Sequence, residues 1–283
     1  LYGSKESDDW ESEDVWKAAN PNYGVSLAPE YMAAQAKEAA ANPSYQNTFR
    51  RLHLNQWTSQ KTRWLDMNAW NSATDQPVEF DSSLPVVGGI DLSTTTDLSA
   101  WAMVQRCKNE LRFKWRFYIP ESTAERAEKT DGVPYRRWAD LGFVTLTRGA
   151  RIDYATIQRD IVEDAERFNI QQIGFDPWNA EYMQQQLDAF GLEMVSVRQG
   201  FASLSEPCKQ LEAAIAESEI RHGANPVAEW NANNVEVETD ANGNIRPVKP
   251  KHNASGKRID GIVAAVVALA VALTAPAPLP DVE

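Results

Sequence analysis

The sequence predicts an α/β protein, a mixed sheet flanked by helices behind a mainly helical N-terminal extension. Three observations point there. From Pro85 three apolar segments follow one another with short connections; from Ile170 apolar segments alternate with helical ones; and the first eighty or so residues show little strand character. The boundary is expected in the Pro-containing stretch 77–85, giving an extension over 1–84 and a sheet-containing domain over 85–283.

Each element has its own local reason. Residues 29–41 are rich in Ala, Glu, Lys and Gln, which favours a helix, and Asn42-Pro43 stops it; another helix starts near Ser44. Tryptophans at 10, 16, 57, 64 and 70 are expected in packed contacts. Residues 86–92, 98–105 and 111–119 read as strands, and the last alternates Leu111, Phe113, Trp115, Phe117 and Ile119 with Arg112, Lys114, Arg116 and Tyr118. Helical stretches at 121–129 and 135–141, a short strand at 143–147 and a helix capped by Asp153 come next. A strand at 170–176, a helix at 179–190, a strand at 192–197 and a helix at 205–217 follow. Residues 235–248 read as a hairpin turning at Asn242-Gly243. Three meandering strands followed by strand-helix units match the ribonuclease H-like architecture.

With 283 residues and 43% hydrophobic content, the chain can bury a sizeable core. Cys107 and Cys208 fit neither a disulfide framework nor a zinc site, so a reducing compartment is expected and metal-thiolate chemistry is excluded. The apolar run 262–275 rises about 21 Å as a helix, short of a hydrocarbon core near 30 Å, and is read as a buried helix on a sheet rather than a membrane span. The net charge of −12 argues at first against a polyanionic partner. The charge is uneven, however. Glu6, Asp8, Asp9, Glu11, Glu13 and Asp14 crowd the N-terminus, whereas Arg246, Lys249, Lys251, Lys257 and Arg258 form an acid-free run leading to Asp260.

Three carboxylates carry the chemistry. Asp91 ends the strand Val-Val-Gly-Gly-Ile-Asp, Asp176 ends Ile-Gly-Phe-Asp, and Asp260 opens the apolar helix after Lys-Arg-Ile. If the first two strands are neighbours, Asp91 and Asp176 lie side by side with Asp260 above them. Carboxylates that close repel unless a cation bridges them, and oxygen-only donors select Mg²⁺ or Mn²⁺. A pair of such ions suits phosphodiester hydrolysis. Singly, each acid also has an ordinary explanation: Asp91 as a strand end, Asp176 in an Asp-Pro turn, Asp260 against a helix dipole. Asp97 fits a hairpin residue as well as an auxiliary ligand. His222 and His252 lack metal-ligand spacing and are expected in solvated loops. Gly256-Lys257 lacks the other residues of a nucleotide-binding loop, so no ATP site is expected in this chain.

Gly-Gly-Ile-Asp-Leu-Ser, Ile-Gly-Phe-Asp-Pro-Trp and Lys-Arg-Ile-Asp-Gly, in this order, resemble the nuclease domain of tailed-bacteriophage large terminase subunits, and residues 47–57 resemble the segment joining motor to nuclease. The resemblance implies a metal-dependent endonuclease cutting concatemeric double-stranded viral DNA in the host-cell cytoplasm. It assigns Asp91, Asp176 and Asp260 to the metal site, with Asp97 a fourth acid. It implies the small terminase subunit, the portal protein and an ATPase motor as partners. The motor is expected on a preceding part of a longer protein. Lys249, Lys251, Lys257 and Arg258 are expected along the DNA. Resolvases and transposases would use the same acids on other DNA, and a degenerate packaging scaffold would not cut at all.

Overall fold

The structure, a computed structural model, describes residues 2–5, 8–56, 64–73, 78–93, 98–250 and 256–274. The chain divides into two compact units, Leu1–Asp66 and Met67–Glu283. In the first, α1 (Glu13–Ala19), α2 (Pro29–Ala41) and α3 (Pro43–Leu54) share a core of Trp16, Met32, Ala36, Phe49 and Leu54. Helix α2 starts on Pro29, where the missing N–H has no intrahelical partner to lose.

The second unit opens with α4 (Met67–Ser72). The sequence places this helix in the N-terminal extension, but Trp70 is fully buried and stacks on His222 with ring centroids 4.3 Å apart. That contact also corrects the expectation of a solvated His222: it is 3% exposed, and its Nε2 lies 2.8 Å from the Trp70 carbonyl oxygen. Burial pushes its pKa down, so the ring packs as a neutral aromatic. His252 lies outside the described residues.

The sheet is built from β1 (Val86–Asp91), β2 (Ser99–Cys107) and β3 (Glu110–Pro120), followed by α5 (Glu121–Asp131), α6 (Tyr135–Asp140) and β4 (Thr145–Thr147). Then come α7 (Tyr154–Arg167), β5 (Ile170–Phe175), α8 (Pro177–Asp188), β6 (Glu193–Ser196), α9 (Phe201–Ala216) and β7 (Ile220–Arg221). The chain continues through α10 (Pro226–Asn234), β8 (Glu236–Thr239), β9 (Ile245–Val248) and α11 (Asp260–Thr274). The spatial order is β4-β3-β2-β1-β5-β6, with β7 beside β3. Strands β1, β2 and β3 meander antiparallel, while β1–β5 and β5–β6 are parallel. This is the expected ribonuclease H-like arrangement.

Strand pleating decides which residues meet which layer. Val86, Ile90, Trp101, Met103, Tyr118, Ile173 and Phe175 share one core cluster with Ile157 and Ile161 of α7 and Met183 and Leu187 of α8. The opposite face receives α11. There Gly89 pairs with Ala102, and these small residues let the helix come very close: a Cβ on Gly89 would stand 2.1 Å from the Ala264 carbonyl oxygen. Twelve successive residues of α11, Asp260 to Val271, are buried, which is why its sequence is apolar on every side. Among the described residues no helix is long and apolar enough to cross a membrane.

Among the departures from expectation, two have clear physical reasons. Helix α9 begins at Phe201 rather than Ser205 and carries Pro207 inside it. Ser205 does not cap the helix; its Oγ accepts the backbone N–H of Ile245 and fastens the hairpin to α9. The hairpin turn is also longer than an Asn-Gly pair, because Asp240 Oδ1 accepts the N–H groups of both Asn242 and Asn244.

Candidate functional site

Parallel pairing of β1 with β5, Gly89 opposite Gly174 and Ile90 opposite Phe175, makes the two strands finish together. Asp91 is the last residue of β1, and Asp176 directly follows β5. Alternation puts Asp91 on the same side as Gly89, which is the side covered by α11. Asp260 is the first residue of that helix, where the dipole favours an acid, and is 6% exposed. Thus segments far apart in sequence deliver the three predicted acids to one end of the sheet.

Among the described residues no three His, Cys, Asp or Glu side chains stand close enough to hold an ion as they are. The acids nevertheless feel one another. Burial and then Asp260 push the Asp91 carboxyl up to about 8, with Asp176 adding a smaller push. Lys249 and a hydrogen bond from Gln199 act in the opposite direction. Burial likewise raises Asp260, with Lys249 opposing it. Asp260 Oδ2 is buried and has no hydrogen-bond partner among the described residues. A buried acceptor left this way costs about 1–3 kcal/mol.

The raised Asp91 has a consequence for stability. Because its folded pKa exceeds the unfolded value near 3.9, the contribution it makes is fully present below that value and is lost as pH rises through about 8. Asp91→Asn is therefore expected to melt increasingly above the wild type in EDTA as pH rises from 4 to 8. A gap between the two melting temperatures that does not change with pH contradicts the burial of Asp91 beside Asp260 described here.

Several neighbours support this end of the sheet. Gln199, in the loop between β6 and α9, places Nε2 3.5 Å from Asp91 Oδ1. The loop is held to β5 by Val197 N–H donating to the Phe175 carbonyl at 2.8 Å. Tyr154 OH donates to the Ser93 carbonyl just after β1. The sequence carries no periodic signal for Gln199 or Tyr154; only the strand ends that they meet make them visible.

The basic run splits up in space. Lys249 follows β9, is exposed, and acts electrostatically on both Asp91 and Asp260. Arg246 pairs with Glu238 at 2.8 Å and lies over the Phe201 ring. Arg258, expected along the DNA, turns inward instead: its Nε is 2.9 Å from Asp131 Oδ2 and its side chain is only 15% exposed. That edge of the guanidinium is occupied by a carboxylate. Lys257 is half-buried, and Lys251 and Asp97 lie outside the described residues.

A family model described as terminase large subunit, endonuclease domain, matches residues 1–275. The chain belongs to this family. It is 32% identical over 275 residues to the large terminase subunit of Enterobacteria phage HK97, covering 96% of this chain and 54% of that protein. It is 30% identical over 288 residues to protein YmfN of Escherichia coli strain K12, covering 96% of this chain and 62% of that one. The crystal structure of the HK97 large terminase aligns with a TM-score of 0.68 at 31% identity, over 96% of this chain and 56% of that chain. The resemblance read from the three Asp motifs and the ribonuclease H-like fold are both borne out by these similarities. The chain spans little more than half the length of the curated relatives it matches.

Proposed function

We propose that this terminase-family nuclease domain is a Mg²⁺- or Mn²⁺-dependent endonuclease that hydrolyses phosphodiester bonds of double-stranded DNA, with Asp91, Asp176 and Asp260 holding two ions. The observation that carries this reading is the joint ending of β1 and β5 at the helix start bearing Asp260, whose buried Oδ2 lacks a partner among the described residues. The donor set fits such ions: it is all oxygen, and burial takes Asp91 and Asp260 partly out of water.

When bound, a pair of ions supplies charge stabilisation at the attacking and leaving oxygens of an in-line displacement. The protein's own part is to hold the donors. Asp91 and Asp176 project from adjacent strand ends, fixed by the ladder beneath them. Asp260 is carried by a helix seated directly on Gly89, where even a Cβ would stand 2.1 Å from the Ala264 carbonyl oxygen. Gln199 donates to Asp91 and so limits its rotation. Asp97, taken from its spacing after Asp91, is proposed as an outer acid tuning the second ion.

Double-stranded DNA would lie along the hairpin and the chain after it, contacted by Lys249, Lys251 and Lys257. Reversing these three charges together is expected to weaken DNA binding on every sequence and flatten its salt dependence, by about one unit of slope for each phosphate no longer neutralised. Unchanged binding and salt slope would move the DNA path elsewhere. On the family's pattern, the chain would cut concatemeric DNA during packaging at the procapsid in the host-cell cytoplasm. It would act with the small terminase subunit, the portal protein and an ATPase motor domain of the same protein. A plasmid-nicking assay tests the reading: cutting in Mg²⁺ or Mn²⁺ that EDTA abolishes is expected, and no cutting in either metal counts against it.

A further inference from the structure

We propose that Asp131 is a positioning residue for the metal centre, acting through Arg258 to fix Asp260 before an ion arrives; this rests on the metal-dependent reading above. Asp131 is the last residue of α5, where the helix dipole disfavours an acid, and its side chain has no exposed surface. Both its oxygens are used. Oδ2 accepts from Arg258 Nε at 2.9 Å and from Tyr135 OH at 2.7 Å, and Oδ1 accepts from Arg258 Nη2 at 3.3 Å. A pair this far out of water is poorly explained by stability alone, since apolar side chains of the same volume often do as well. It does fix geometry, because the guanidinium fork permits one arrangement.

What it fixes is the approach to Asp260. Two residues before Arg258, Gly256 has φ +73°, and a Cβ there would stand 2.4 Å from the Thr130 carbonyl oxygen, so the chain is pressed onto the end of α5. On the other side of Asp260, Gly261 is held twice. Its N–H donates to Asn231 Oδ1 at 2.8 Å, and its carbonyl accepts from Trp115 Nε1 at 2.9 Å. The backbone flanking Asp260 is thus fastened to α5, α10 and β3, while Asp260 Oδ2 is left without a partner among the described residues. A braced backbone with a spare oxygen leaves the rearrangement that metal binding requires to the side chains.

The test uses the 283-residue chain and Mn²⁺ alone, with unbound ion followed by electron paramagnetic resonance. Asp131→Asn and Arg258→Lys, which keeps the charge but removes the fork, are each expected to weaken Mn²⁺ binding about tenfold. Tyr135→Phe should weaken it less. In nicking assays kcat should fall while KM for DNA stays as in the wild type. A lower melting temperature with unchanged Mn²⁺ affinity overturns the proposal, making the pair a structural brace only. So does a raised KM with a flatter salt dependence in Arg258→Lys, which would make Arg258 a phosphate contact. Should Asp131→Asn not fold, Arg258→Lys and Tyr135→Phe decide. A wild type that neither binds Mn²⁺ nor cuts defeats the metal-dependent reading first, and the two failures are thereby told apart.

Discussion

Asp91→Asn, Asp176→Asn and Asp260→Asn are each expected to reduce divalent-metal-dependent DNA cleavage by at least about a hundredfold while leaving the fold intact. Each exchange keeps the side chain's shape and removes a formal charge from the donor set. Metal ions contribute several kcal/mol of charge stabilisation to such reactions, and each 1.4 kcal/mol corresponds to about tenfold in rate. In EDTA none of the three should melt below the wild type, since removing one acid relieves repulsion among the others. Full activity in any one variant would take that residue out of the site. Asp97→Asn should behave differently: a partial loss, restored in part by raising Mn²⁺. Superimposable normalised Mn²⁺ titrations for Asp97→Asn and the wild type would leave Asp97 as a turn residue.

The largest expected loss of stability comes from a position with no chemistry of its own. In Gly89→Val the new Cβ would meet the Ala264 carbonyl oxygen at 2.1 Å and the Ala268 nitrogen at 2.5 Å, both backbone atoms of α11 that no side-chain rotation can move. Overpacking of this kind costs about 1–3 kcal/mol and occasionally more, and two backbone clashes place this site at the upper end. Lifting α11 off the sheet also displaces Asp260, its first residue. Urea unfolding should show the destabilisation, and whatever folded protein remains should nick DNA poorly. Stability within about 0.5 kcal/mol of the wild type, the usual range for a neutral surface change, would contradict the close packing described for this face.

Much of the fold is legible in the sequence because its signals are local. The alternation from Leu111 to Ile119 marks β3, the apolar run after Asp260 marks a helix buried on all sides, and Asp153 marks the start of α7, where its side chain accepts the Ala155 N–H. Helix α10 escapes a pattern reading although Asn225-Pro226 is a good start signal, because its inner face includes Asn231, a polar residue that breaks the apolar pattern. Asn231 is fully buried for a tertiary reason: it bonds the Gly261 N–H at the start of α11. The two-residue strand β7 is too short to leave a period.

The site divides in the same way. The three acids stand at recognisable strand and helix ends, whereas the parallel neighbourhood of β1 and β5 enters the sequence reading only as a condition. Their supports are not visible there. Gln199, Asp131 and Asn231 act through contacts across 108, 127 and 30 residues of sequence respectively, and no spacing rule reaches that far. Arg258 misleads for a related reason. In sequence it continues a basic run, whereas in space its partner comes from the end of α5.

The most direct measurement is anomalous diffraction from crystals of this chain soaked in Mn²⁺. The account predicts manganese peaks at the joint end of β1 and β5, with oxygens of Asp91, Asp176 and Asp260 as ligands at roughly 2.0–2.2 Å, the short range of small divalent cations on carboxylate oxygen. Manganese absent from these three carboxylates at saturating concentration, or bound only at other acids such as Asp160 and Asp164 on α7, would contradict it.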